Sequence, residues 1–194
     1  MRGCGMNYNE IAAEAHALSV KSGKWAANPT FEKCILEVHA KLTDAWREWE
    51  KKNDTIYYLC SDKGALCDGQ CYAFDTKTDA RCRFQYYRPE PRGVAIELAS
   101  VVLLILDIMA ELKIEIDNMA GMTPSARDFN SFSRLITLVH DKTAASFAPP
   151  DDVRMFDLLV AIRAIECYCD ANDIDLAAAI RIKLDYDAAQ MKGD

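Results

Sequence analysis

Three polar residues, Glu97, Ser100 and Asp107, interrupt the otherwise apolar run VAIELASVVLLILDIMA from Val94 to Ala110. An unpaired carboxylate is too costly to keep in an apolar core, so Glu97 and Asp107 must find partners there or reach its rim. Elsewhere Glu37, Lys41, Asp44 and Glu48 recur at spacings of three and four, which aligns them on one face of a helix. Such a stripe is either a solvated face of ordinary salt pairs or a row of carboxylates, with an ammonium among them, turned toward Glu97. In the second case the apolar run is a central helix whose acidic residues face a site.

A different chemistry is available to Cys60, Cys67, Cys71 and Cys82, which fall within one polar stretch, CSDKGALCDGQCYAFDTKTDARC. Four thiols can hold a tetrahedral Zn²⁺ and so staple a loop too polar to pack by itself. Their spacings are not those of paired C-x₂-C knuckles, and free thiols or a disulfide are the alternatives. The opening MRGCGMNYNE carries no apolar export segment. The eight cysteines are therefore expected as thiols or metal ligands in the cytoplasm, rather than as a disulfide framework.

The elements that must position these groups are helical. The central run, seventeen residues with two carboxylates, is shorter than the ~20 apolar residues that span a bilayer. A helix is expected after Asn9 as its N-cap, with Ile11, Ala15 and Leu18 on one face, ending at Ser22-Gly23. Trp25 in the following connection reads as a core plug. Thr30 caps a second helix, Phe31 to Lys51, whose apolar stripe is Ile35, Val38, Leu42, Ala45 and Trp49. An irregular cysteine-bearing insert, 53–93, follows and closes on Pro89-Glu90-Pro91-Arg92-Gly93. Asp152 and Asp175 are the expected caps of two last helices, to about Asp170 and Met191. The fold class is all-α.

Composition narrows the function classes. A hydrophobic fraction of 51% with 27% charged residues is that of a globular protein able to bury a core over 194 residues. A net charge of −7 excludes a broad phosphate-tracking surface for DNA or RNA, but leaves a single nucleotide open.

The chain also repeats itself. Phe31, Ile35, Val38-His39 and Lys41 match Phe132, Ile136, Val139-His140 and Lys142 at an offset of 101. Leu98, Ile105 and Ile114 match Leu158, Ile165 and Ile174 at an offset of 60. The change of offset is explained if the second copy lacks the insert. This divides the chain into a first repeat, 1–120, and a diverged second repeat, 130–194, packed on it. His39 and His140, beside core positions in both copies, read as hydrogen-bonded packing residues.

Two blocks, EIAAEAHALSVKSGKWAANPTFEKCILEVHAKLTDAWREWE and YYRPEPRGVAIELASVVLLILDIMAELKIEID, together resemble the MazG-like all-α nucleoside triphosphate pyrophosphohydrolases. The terminal DIDLAAAIRIKLDY resembles the end of that family's sequence. The resemblance implies a helical bundle whose acidic motifs hold Mg²⁺ for attack of water on a nucleoside triphosphate, releasing pyrophosphate and a monophosphate. Carried over, the first motif falls on Lys41 and Asp44, so one expected Glu is a Lys and the other is shortened. The second falls on Glu97 and Ser100, so the Glu is kept and an Asp is lost.

The resemblance thus implies Asp44, Glu97 and Lys41 as catalytic residues, and Asp44, Glu97, Glu48 and Asp107 as Mg²⁺ ligands, with Glu37 a further candidate. In the second copy the matching positions are Lys142, Ala145, Asp157 and Val160, and that site is emptied. The arrangement implied is a single-chain pseudo-dimer, which is either complete alone or pairs again as a homodimer. The alternative reading is a catalytically lapsed nucleotide-binding or structural module, because Lys41 and Ser100 replace acidic ligands.

Overall fold

The computed structural model describes residues 6–52, 55–59, 90–114, 116, 131–146 and 151–191. Cys60, Cys67, Cys71 and Cys82, the candidate zinc ligands, lie outside the described residues, as does the linker 118–130.

Among the described residues the chain forms six α-helices and one short strand pair. These are α1 (Tyr8–Lys21), a 3₁₀ turn (Trp25–Ala27), α2 (Phe31–Lys51), β1 (Tyr57–Leu59) and β2 (Glu90–Arg92), then α3 (Val94–Glu111), α4 (Phe132–Ala145), α5 (Asp151–Ala171) and α6 (Leu176–Gln190). The strands pair antiparallel with Tyr57 opposite Arg92, so Tyr57–Leu59 and Glu90–Arg92 form regular structure where irregular chain was expected. No helix is long and apolar enough to cross a membrane among the described residues.

Local signals set the helix ends. Thr30 caps α2 by accepting from the Lys33 amide, and Asp175 caps α6 by accepting from Ala178. The first helix departs from expectation, because its cap is Asn7, which accepts from the Glu10 amide. Asn9 instead lies within α1, and its side chain both donates to and accepts from the backbone of Ile116, at 3.2 and 3.0 Å. A long-range pair of hydrogen bonds thus took the side chain that a local cap would have used.

Helix α3 is the centre of the bundle. It packs against α1, α2, α5 and α6, and nearly all of its residues are buried, which is why its sequence is apolar on every side. α4 packs on α5 and on α2, and buried residues of all six helices join in a single core. Two aromatic rings extend that core outward, Trp49 stacking on Phe132 with centroids 5.4 Å apart.

The apolar stripe of α2 ends differently from its sequence pattern. Ile35, Val38, Leu42 and Ala45 are fully buried, but Trp49 is 43% exposed, while Glu48 is only 8% exposed. Glu48 turns inward because Tyr57 on β1 donates a 2.7 Å hydrogen bond to it, and Lys51 bonds its other oxygen at 2.7 Å. A satisfied carboxylate can be buried where an unpaired one cannot.

Candidate functional site

Two buried carboxylates of α3 are each held by cations from other segments. Glu97, one turn into the helix and 3% exposed, receives Lys41 Nζ of α2 at 3.3 Å and Arg92 Nη1 of β2 at 3.6 Å. Lys41 also donates to Asp44 at 3.2 Å, and Arg47 contacts the other oxygen of Asp44 at 3.2 Å. Lys41 therefore lies between Asp44 and Glu97, as a bridge from the surface of α2 to the core of α3. Burial works to lower the Lys41 pKa, but the Glu97 and Asp44 carboxylates outweigh it and hold the ammonium above its ordinary value.

Asp107, three helical turns further along, is 1% exposed and saturated. It accepts from Trp25 Nε1 at 2.9 Å, from Lys24 Nζ at 3.0 Å and pairs with His16 Nδ1 at 2.8 Å. Lys24 reaches a second carboxylate, Glu37, at 3.3 Å. The same competition acts here: burial lowers the Lys24 pKa, and Asp107 with Glu37 raises it to a net increase. Trp25 is thus partly buried against the core rather than inside it, and its indole N–H ties the connection between α1 and α2 to the central helix.

The acidic residues read from the sequence do not converge. Asp44 and Glu97 meet at Lys41, Glu48 belongs to the Tyr57–Lys51 group, and Asp107 belongs to the Lys24–His16–Trp25 group. Glu37 joins Lys24 and not Lys41. Ser100 donates to the Ile96 carbonyl of its own helix at 2.9 Å. Among the described residues, no three His, Cys, Asp or Glu side chains gather as a metal would require.

These residues do not fit Mg²⁺, a hard ion that takes oxygen ligands in near-octahedral geometry. An ammonium already stands at the meeting point of Asp44 and Glu97. A divalent cation about 4 Å from it would meet a repulsion of roughly 8 kcal/mol at an effective dielectric of ~20. Each candidate ligand, moreover, already neutralises a cation of the chain.

Between the two clusters α1, α3 and α6 border a half-open pocket of about 340 Å³. Ser100, Leu103, Leu104 and Asp107 line it along one face of α3, and Leu18, Leu184 and Met191 complete an apolar wall. Lys41 enters it from α2, and Lys183 with Asp187 enters from α6, where the two are paired to each other. A concave, largely apolar space with a few convergent polar groups suits a small ligand, and its volume falls in the range of about 300–1,000 Å³ usual for such sites.

Lys24, Tyr57, Lys183 and Asp187 had no place in the sequence reading of the site, and Arg92 entered it only as part of a breaker. The i, i+4 spacing of Lys183 and Asp187 was the one signal that could have found a pair on α6. Nothing local marks Arg92, which reaches Glu97 because β2 leads directly into α3.

Compared with known proteins, the chain matches no family model, and neither a curated protein nor a solved structure is significantly similar to it.

Proposed function

We propose that this chain is a MazG-like bundle, internally duplicated, that holds a nucleoside triphosphate in the pocket beside Lys41 without hydrolysing it. The observation that carries this reading is the Lys41 ammonium, 3.2 Å from Asp44 and 3.3 Å from Glu97. It supplies the charge compensation that a metal would bring and leaves the phosphates a direct cationic contact. It provides no bound water of lowered pKa, so binding is kept and the hydrolytic step is lost.

The duplicated arrangement has its own support. Lys142 contacts Asp157 at 2.9 Å, and these residues stand at the offsets of 101 and 60 from Lys41 and Glu97. His39 and His140, related by the same offset of 101, meet edge to face with ring centroids 4.4 Å apart. Equivalent residues touching one another is the geometry of an approximate twofold axis between the two copies. In this reading the second copy serves as the packing partner.

The test is pyrophosphate release from a panel of ribo- and deoxynucleoside triphosphates with Mg²⁺ or Mn²⁺, with nucleotide binding measured by equilibrium dialysis on the same protein in EDTA. The natural chain binds and releases nothing, while the Lys41→Glu, Ser100→Asp double variant gains metal-dependent release. Release by the natural chain that disappears in Glu97→Gln would make it a pyrophosphohydrolase. Failure to bind any nucleotide would remove the ligand from the proposal.

A further inference from the structure

The pocket presents two ammonium groups from different helices, Lys41 of α2 and Lys183 of α6. Each has a partner on its own helix, Asp44 three residues on and Asp187 four residues on. Both of those carboxylates are about a third exposed, at 36% and 34% of their side-chain surface. Pairs of this kind are weak, because water screens them and two flexible side chains must be held in one geometry. The deeper partner of Lys41, Glu97, is buried and holds the ammonium from α3 at 3.3 Å.

We propose that Lys41 and Lys183 form a two-lysine clamp for a free phosphate-bearing group, which displaces Asp44 and Asp187 from the ammoniums and binds without a metal ion. This rests on the nucleotide reading above and adds to it the second cation and the exclusion of metal from the bound form. An anion with several phosphate oxygens outcompetes the side-chain carboxylates because it brings more charge and more acceptors to the same two donors.

The sign of the metal effect separates this clamp from a metal-dependent site. Mg²⁺ complexes a diphosphate in solution, so it competes with the lysines for the anion. In a site built on metal ligands it would instead strengthen binding.

The experiment is isothermal titration of the full chain with inorganic pyrophosphate, in EDTA and again in excess Mg²⁺, with a nucleoside triphosphate titrated in parallel. Pyrophosphate is expected to bind in EDTA and to bind more weakly in Mg²⁺. Lys183→Gln and Lys41→Gln should each weaken it by more than about tenfold, the loss of one charge-assisted contact. Asp187→Asn should tighten it several-fold by removing the internal competitor, an outcome that lost folding cannot imitate. Binding that needs Mg²⁺, or that ignores both Lys183→Gln and Asp187→Asn, would overturn the clamp. Nucleotide binding that depends on Lys41 but not Lys183 would overturn the clamp alone, and absence of binding by either probe would overturn the nucleotide reading with it.

Discussion

Replacing Asp107 by leucine tests whether this carboxylate anchors the bundle rather than serving a metal. The substitution keeps a side chain of similar size but removes the acceptor of three donors, from Trp25, Lys24 and His16. Breaking a buried ion pair by deleting one partner costs about 3–5 kcal/mol. The cost is lower here, because Lys24 keeps Glu37 at 3.3 Å and its side chain is 18% exposed, so about 2–3 kcal/mol is expected. For a chain of this length that corresponds to a fall in Tm of roughly 4–12 °C.

Urea unfolding followed by tryptophan fluorescence reads the change directly, since Trp25 is one of the donors. The midpoint should fall at unchanged slope. A second arm uses Lys24→Met with Asp107→Leu. If the two groups form a desolvated pair, the double variant loses less than the sum of the single losses, with a coupling of about 0.5–3 kcal/mol. A loss under about 0.5 kcal/mol for Asp107→Leu, or strictly additive losses, would refute the anchoring argument.

Further outcomes concern the contact of α2 with α4 and the strand pair. Burial lowers the pKa of both His39 and His140, and for His39 the neighbouring imidazole adds to it. Unfolded imidazoles, near 6.5, therefore take up protons before the folded ones. The pair carries no penalty well above that value, and stability falls as pH drops through it toward the lower folded pKa. Tm measured from pH 7.5 to 5.5 should decline in the natural chain and flatten in the His39→Gln, His140→Gln variant; equal slopes would count against it. Tyr57→Phe should cost about 1 kcal/mol by leaving buried Glu48 one donor short, read by chemical denaturation. Glu48, which burial would raise but the Lys51 and Tyr57 hydrogen bonds hold below its ordinary pKa, contributes stability that is present above about 4.5 and lost as pH falls through its folded pKa. Tyr57→Phe should shrink that acid-side loss.

Two caps, Thr30 and Asp175, and the apolar run of α3 were legible because they act within one or two helical turns, whereas Asn9 and Trp49 were not. Thr30, Asp175 and the apolar run from Val94 state their elements locally, and the structure keeps them. The meeting of Lys41 with Asp44 was legible for the same reason, being one turn of one helix. That Glu97 and Asp107 need partners also followed from the apolar run around them.

Which partners they find was a tertiary decision. Lys24 and Trp25 reach Asp107 across more than eighty residues, and Arg92 reaches Glu97 only because the β1–β2 pair sets the entry of the chain into α3. Periodicity assigns Trp49 to the core and Glu48 to the surface, yet a hydroxyl from β1 reverses them, since 100° of helix rotation separates adjacent residues. Local patterns carried the all-α character of the chain and the need for charge compensation inside α3. The packing of α1, the connection after it, α2 and β2 around that helix decided that His16, Lys24, Lys41 and Arg92 supply it, because a buried charge is satisfied by whichever donor the fold brings within hydrogen-bonding distance.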